Sequence, residues 1–299
     1  MQPSTAPSSA SALVLGWGLR IASVIPIPGA IPWPGLNADA DVTISWGGCC
    51  DLEPWPDLYC WDGTTLAFAP PDVARFQITR DAITVHPHPL ASHMAVSGLL
   101  VATAIPALLW LRGLFVLHAA GLALTPDGLA VAITGPSGSG KSSLVLRFIQ
   151  QGAQLVGDDT LAIDLMKERT LCQGLSGGLF QGPHDRRRFE ATSSTHSSKG
   201  QARRLAAIVV LTPGEDLAMR PLRGIEAFLT IMQNRHRPRV PSLVGRQQAS
   251  MDMASVLSGT TPIWELRFDK RKHPLQELGA WITNVSEKGW LVDDPIPTD

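Results

Sequence analysis

Residues 135–142 read Gly-Pro-Ser-Gly-Ser-Gly-Lys-Ser, and no other stretch limits the folds open to this chain so tightly. The run matches the phosphate-loop (Walker A) pattern G-x-x-x-x-G-K-[ST] at every fixed position. Such a loop works only where a strand delivers it and a helix leaves it. Both flanks are in the pattern. The apolar run 128–134 is that of a strand covered on both faces. Residues 141–151 have helical periodicity, with Leu144, Phe148 and Ile149 on one face and Gly152 to stop the helix.

The chemistry follows from those residue types. Glycines allow backbone torsions that turn successive N–H groups toward phosphate oxygens, and the helix N-terminus adds partial positive charge. The expected nucleotide-binding set is Gly135, Pro136, Ser137, Gly138, Ser139, Gly140, Lys141, Ser142 and Ser143. Lys141 is placed to reach the terminal phosphates and Ser142 to ligate Mg²⁺, so ATP and Mg²⁺ are the expected cofactors. A glycine-rich connector that matches by chance is the plainer alternative. The motif is specific for phosphate and silent about what happens to it.

Composition narrows the class. The chain has 299 residues, 44% of them hydrophobic and 17% charged, as in a soluble globular protein. With 25 Lys and Arg against 26 Asp and Glu, no basic field calls for nucleic acid. Cys49, Cys50, Cys60 and Cys172 lack zinc-site spacing and read as free thiols of a cytoplasmic protein. Residues 1–15 lack the basic start of a signal peptide and read as a disordered lead-in. Residues 95–111 carry no charge but contain Gly98 and Pro106 and fall short of a usual span; a buried helix is favoured over a membrane crossing.

Residues 16–90 are rich in Pro, Gly, Trp and short β-prone runs, which suggests a small antiparallel β unit with a hairpin turn at Asp62-Gly63. From residue 91 a helix to Leu111 precedes alternating strands and helices, indicating an α/β domain over residues 91–299. Further elements are expected as strands over 205–211 and 263–268, and helices over 224–234, 244–257 and 274–283. Residues 174–204 show little apolar periodicity and read as a long loop. Trp33, Trp55 and Trp61 would suit an interface if exposed, although burial is the commoner fate of Trp.

A phosphate loop also needs a carboxylate at the end of a nearby strand. The strand at 205–211 ends in Thr212-Pro213-Gly214 without one. The run 153–157 instead leads straight into Asp158-Asp159 and is expected to return beside the phosphate-loop strand. One acid could orient a metal while the other takes a proton from an attacking hydroxyl; an Asp pair that merely caps a turn is the alternative. GTPase motifs Asn-Lys-x-Asp and Asp-x-x-Gly are absent from the sequence. Leu175-Ser176-Gly177-Gly178-Leu179 begins like a transporter-ATPase signature, but it follows the phosphate loop too soon and no acidic strand comes after it.

These residues resemble the catalytic domain of HPr kinase/phosphorylase and its kinase-like relatives. The resemblance is clearest over residues 113–164. It consists of Arg112-Gly113, Leu117-His118-Ala119, the phosphate loop, and the run 151–159 ending in the Asp pair. The whole chain also looks like the HPr kinase-like proteins of bacterial peptide-modification clusters, including lasso-peptide precursor kinases. The resemblance implies an α/β kinase domain of the HPr kinase/PEP carboxykinase-like type, preceded by a β-rich region. It implies Asp158 as general base, Asp159 as metal-side acid beside Ser142, Lys141 at the phosphates, and His118 near the base. Arg235 and Arg237 are loose matches for a downstream arginine, with solvated surface arginines as the alternative. The family's Arg-Gly-x-Gly signature after the Asp pair is missing, and Arg186-Arg187-Arg188 and Arg203-Arg204 fall in the intervening loop.

The expected activity is ATP-dependent phosphoryl transfer to a hydroxyl, a serine of a peptide or protein. The alternatives are a nucleotide-binding regulatory or assembly module without transfer, and a small-molecule kinase on the same scaffold. No nucleic acid or membrane span is expected, and the oligomeric state stays open.

Overall fold

Period-two burial builds the first sheet. In a computed structural model the described residues are 11–35, 39–48, 58–124, 128–166, 169–181, 188–191, 196–269, 271–273 and 282. The first eight strands are β1 (Ala12–Gly16), β2 (Leu19–Ser23), β3 (Ile31–Pro32), β4 (Val42–Trp46), β5 (Tyr59–Trp61), β6 (Leu66–Phe68), β7 (Ala74–Ile78) and β8 (Ala82–Pro87). They form one sheet in the order β3-β1-β2-β4-β8-β7-β6-β5. Phe76, Ile78, Ile83 and Val85 point into the core from β7 and β8 while their neighbours face outward.

Two expectations change here. Ala12–Leu15, expected within a disordered lead-in, pair with β2 instead. The sheet is mixed rather than antiparallel, since β4 runs parallel to both β2 and β8, its connections being long enough for crossovers. The hairpin at Asp62-Gly63 is present: Asp62 Oδ1 accepts from the N–H groups of Thr64 and Thr65 between β5 and β6.

The apolar stretch that follows is a helix in three parts: α1 (His93–Leu99), a π-helical segment (Leu100–Ala104) and α2 (Ile105–Leu111). Pro106 explains the break. It has no N–H, so the carbonyl of Ala102 loses its helical donor. The Arg237 Nε–H donates to that carbonyl at 2.8 Å, and the Ile105 N–H reaches back to Leu100. By length and composition residues 93–111 could cross a membrane, but 72% of their most apolar window is buried inside the fold, as in the core helix of a soluble protein.

The second sheet contains β9 (Phe115–Leu117), β10 (Ala119–Ala123), β11 (Ala130–Thr134), then after α3 (Lys141–Gln150) β12 (Gln154–Gly157), β13 (Leu161–Met166) and β14 (Arg169–Gln173). A small hairpin of β15 (Gly178–Gln181) and β16 (Arg188–Ala191) interrupts the region expected as one long loop. Then come β17 (Arg203–Pro213), β18 (Ala218–Leu222), α4 (Gly224–Gln233), α5 (Arg239–Leu243), α6 (Gln247–Thr260) and β19 (Ile263–Phe268). The helix expected over 244–257 begins later, at Gln247, because Gly245 adopts φ 69° and separates α5 from α6. The closing helix expected over 274–283 lies outside the described residues except Ile282.

β11 is buried along its whole length, with a different core on each face. Val131 and Ile133 pack with Leu144, Val145, Phe148 and Ile149 of α3. Ala130 and Ala132 join a larger core that includes α2, Trp17 and the inner face of the first sheet, so this core runs across the compositional boundary near residue 90. β17 lies beside β11, parallel to it, and β19 beside β17. β12 does not return beside β11 as expected. β10 forms a hairpin with β11 and takes that edge, leaving β12 to pair with β10. The result is a mixed α/β protein with two large sheets.

Candidate functional site

β11 delivers the chain to Gly135, and α3 leaves at Lys141. Gly135 has φ 136°, and a Cβ there would lie 2.5 Å from the Leu211 carbonyl oxygen of β17. Both torsion and space therefore demand glycine. Gly138 and Gly140 also adopt positive φ, and Gly140 forms the N-cap of α3 with no side-chain capping bond. The first N–H groups of a helix lack intrahelical acceptors, and no acidic residue in the first turn offsets their charge. Lys141 Nζ donates to the carbonyls of Gly135 and Pro136 at 2.7 and 3.1 Å, folded over the same loop.

This donor set suits a polyphosphate. It is made of backbone N–H groups, one ammonium and serine hydroxyls, with no carboxylate in the loop. Ser139 Oγ is buried at 3% exposure and has no hydrogen-bond partner among the described residues, so it is a polar group the loop itself does not satisfy. Ser142 is half-buried and Ser143 exposed on the first turn of α3.

The loop opens on a cavity of about 650 Å³. Gly135, Pro136 and Ser137 form one wall, and His118 and Asp159 lie beside them. The run Gln233–Arg239 after α4 forms the facing wall, and Leu58, Tyr59 and Ala102 complete the lining. His118 sits between β9 and β10, next to the Ala119–Thr134 pair of the β10–β11 hairpin. Its Nδ1 is 3.0 Å from the Asp159 carbonyl oxygen and 3.7 Å from Asp159 Oδ1. Thr134 Oγ1 lies 2.7 Å from the His118 carbonyl and 2.9 Å from Asn234 Oδ1, which joins the two walls.

The Asp pair occupies the turn from β12 to β13. A Cβ on Gly157 or Gly174 would fall 2.6 Å from the Cα of the other, so only this glycine pair lets the two chains cross beneath the turn. Trp17 closes over the turn from the first sheet, its Nε1–H donating to the Thr160 carbonyl at 3.1 Å. Asp159 adopts φ 66° and lines the cavity; Asp158 is not among its lining residues. The site residues named from sequence thus divide. Gly135, Pro136, Ser137, His118 and Asp159 line the cavity, whereas Gly138, Ser139, Gly140, Lys141, Ser142, Ser143 and Asp158 do not; Lys141 is bonded to the carbonyls of Gly135 and Pro136.

The facing wall was only partly visible in sequence. Arg235 and Arg237 are both on it. Arg235 donates to the Met232 carbonyl and to Ser250 Oγ, and burial lowers its guanidinium pKa from the ordinary value. Arg237 adopts φ 53° while bonding Ala102. Two cavity residues, Asp159 and Arg237, thus hold the left-handed backbone that non-glycine residues rarely adopt, a feature that clusters at functional sites. Burial pushes the Tyr59 hydroxyl pKa up, with Arg237 and Arg239 pulling it down. His236 and Tyr59 carried no sequence signal, because each reaches the site only through tertiary packing.

Other candidates lie elsewhere. Ser176, in the transporter-like run, bonds Ser197 and the Gly200 N–H within the core. Arg203 Nη2 donates to Gln154 Oε1 and serves the sheet. Arg186 and Arg187, Cys49, Cys50 and Trp55 lie outside the described residues. Trp33 and Trp61 are half-buried. Of the described cysteines, Cys60 is exposed and Cys172 buried, its thiol pushed up to about 12 by desolvation.

No protein-family model and no curated protein matches the chain. Among solved structures, the Hpr(Ser) kinase/phosphatase from Coxiella burnetii aligns with a TM-score of 0.34 and 14% identity. The alignment covers 56% of this chain and 94% of that one, a distant structural resemblance.

Proposed function

We propose that this chain is an ATP-dependent kinase, similar to HPr kinase, that transfers the γ-phosphoryl group to the serine hydroxyl of a peptide or protein in the cytoplasm. One observation carries the proposal: the glycine loop at the head of α3 opens on the same cavity as His118 and Asp159. Bound ATP would supply the phosphoryl group, and Mg²⁺ would neutralise charge on it.

The chain's own groups then have distinct tasks. The Gly135–Ser143 backbone and hydroxyls hold and orient phosphate oxygens, and Lys141 moves from the loop carbonyls to phosphate charge. Ser142 and Asp159 would hold the cation through oxygen. Asp158 accepts the proton of the acceptor hydroxyl as its oxygen bonds phosphorus and the bond to the ADP oxygen breaks. That role requires the turn to bring the Asp158 carboxylate to the cavity when acceptor binds. Leu58 and Tyr59 support a docking role for the β-rich region of residues 16–90, which precedes the kinase domain of residues 91–299.

A nucleotide-binding regulatory module is the second reading, supported by the position of Asp158 off the cavity wall. The test incubates the protein with γ-labelled Mg-ATP and a panel of serine-containing peptides, proteins and hydroxyl metabolites. Label on a peptide or protein serine is the expected result. Label on a metabolite would move the acceptor class, and ATP binding with no labelled acceptor would favour the module.

A further inference from the structure

The turn that carries Asp158 and Asp159 is held at three consecutive carbonyls. The Thr160 N–H donates to the Asp158 carbonyl at 2.8 Å, and His118 Nδ1 lies 3.0 Å from the Asp159 carbonyl, which can only accept. The Thr160 carbonyl accepts from Trp17 Nε1–H at 3.1 Å, across 143 residues of sequence. Of the three donors, the third alone comes from the first sheet. We propose that Trp17 is a positioning residue for phosphoryl transfer, through which the β-rich region sets the turn that presents both carboxylates. The catalytic part of that role rests on the kinase proposal; control of the turn does not.

Trp17 is an unfavourable residue for its place in the backbone. Trp17 and Gly18 are the two residues between β1 and β2, with Gly16 opposite Leu19. Both adopt positive φ, 51° and 72°, as a type I′ turn requires. Glycine, asparagine or aspartate suits the first of those positions, whereas a bulky aromatic there strains the backbone. Strain retained at one residue points to a function for its side chain. The ring is buried and joins the core that runs between the two sheets. Packing alone would be served by any large apolar ring; the indole adds a donor for a buried carbonyl.

The hairpin tip is also wedged in place. The Trp17 N–H donates to the Gly174 carbonyl at 3.2 Å. A Cβ on Gly18 would run into the Gln173 side-chain amide, so the tip lies flush against the end of β14. Gly174 in turn packs on Gly157, the residue before Asp158. Trp17 thus grips the turn at both ends, through its backbone and Gly174 beneath Gly157, and through its ring at Thr160. Asp159 directly precedes the anchored Thr160 and itself holds φ 66°. A shift at Thr160 therefore passes straight to Asp159 and Asp158, and a displacement of about 1 Å at a reacting group can cost roughly 100-fold in rate.

The test exchanges Trp17 for benzothienylalanine, which keeps the ring shape but has sulfur in place of N–H, with Trp17→Phe as the ordinary variant. Hydrogen exchange of the full-length chain without nucleotide reads the turn directly. Amides of residues 158–161 should exchange roughly tenfold faster than in the parent, while those of β11 and α3 keep the parent rate. In Mg-ATP kinetics the transfer rate constant should fall roughly tenfold and the half-saturating Mg²⁺ concentration should rise, with ATP affinity in the absence of Mg²⁺ unchanged. A loss of folded molecules would lower the rate constant without moving the Mg²⁺ requirement. Three results would each overturn the proposal: parent-rate exchange in the benzothienyl variant, exchange that speeds up equally in β11 and α3, or a local change in exchange with unaltered kinetics. If Trp17→Phe unfolds, the benzothienyl variant, of parent ring size, decides alone. A parent chain that transfers no phosphate would sink the kinase reading, and exchange would still decide whether Trp17 holds the turn.

Discussion

The two walls of the cavity are built on opposite principles. The wall of Gly135, Pro136 and Ser137 belongs to a backbone site: the loop's donors are N–H groups, and its shape depends on glycines at φ 136°, 77° and 102°. The wall of Asn234–Arg239 is side chain: imidazole, amide and guanidinium groups held by bonds to distant elements. A backbone site is encoded locally, so eight consecutive residues announce it. A side-chain site is encoded by whatever packs around it, so its members are scattered through the sequence.

Among substitutions in and beside the two walls, removing the cation of the glycine loop should have the largest effect. Lys141→Ala is expected to lower the transfer rate constant by about 10²–10³-fold, the usual loss on deleting one donor that stabilises transition-state charge. Steady-state kinetics with Mg-ATP checks it. A rate constant within a few-fold of the parent would remove Lys141 from the chemistry and weaken the claim that this wall binds phosphate.

Breaking the second wall should act first on stability. Arg237→Ala leaves the Ala102 carbonyl without the donor that replaces the missing N–H of Pro106. The Ala102 carbonyl is part-buried and borders the cavity, so losing this bond should cost about 0.5–1.5 kcal/mol, measurable by urea unfolding. Unchanged stability would mean that the π-helical segment does not depend on this wall.

The smallest effect is expected away from both walls. Arg20 holds the Asp41 carboxyl below its ordinary pKa, chiefly through their side-chain hydrogen bond. A lowered folded-state value adds stability above the unfolded value of about 3.9, lost as pH falls through the folded one. The pair is partly exposed, so Asp41→Asn should cost no more than about 1 kcal/mol at neutral pH. The deficit should shrink in acid, as urea unfolding from pH 7 downward would show. A deficit that grows in acid would contradict the assignment.

Legibility followed the same divide. The loop, its strand and its helix were readable because fixed spacing, an apolar run and a 3.6-residue period all act within thirty residues of Gly135. The Asp pair was readable by proximity, but not which acid lines the cavity, since that depends on the left-handed turn at Asp159. The place of β12 was misjudged because the hairpin of β10 with β11 is a tertiary choice that composition does not express. His236 lies 118 residues from His118, and tertiary contacts such as the bridge between Leu117 and Arg235 bring the two segments together. The mixed first sheet was misread for a similar reason: short β-prone runs do not declare whether a crossover or a hairpin joins them.

The central claim is that the two walls enclose one phosphoryl-transfer site. Its most direct test is single-turnover transfer of labelled γ-phosphate from Mg-ATP to an acceptor peptide, measured with ATP affinity for the parent chain and for Asp158→Asn. The account predicts label on the peptide with the parent, none with Asp158→Asn, and equal ATP affinity for both. Transfer by Asp158→Asn at the parent rate would contradict the role given to the Asp pair.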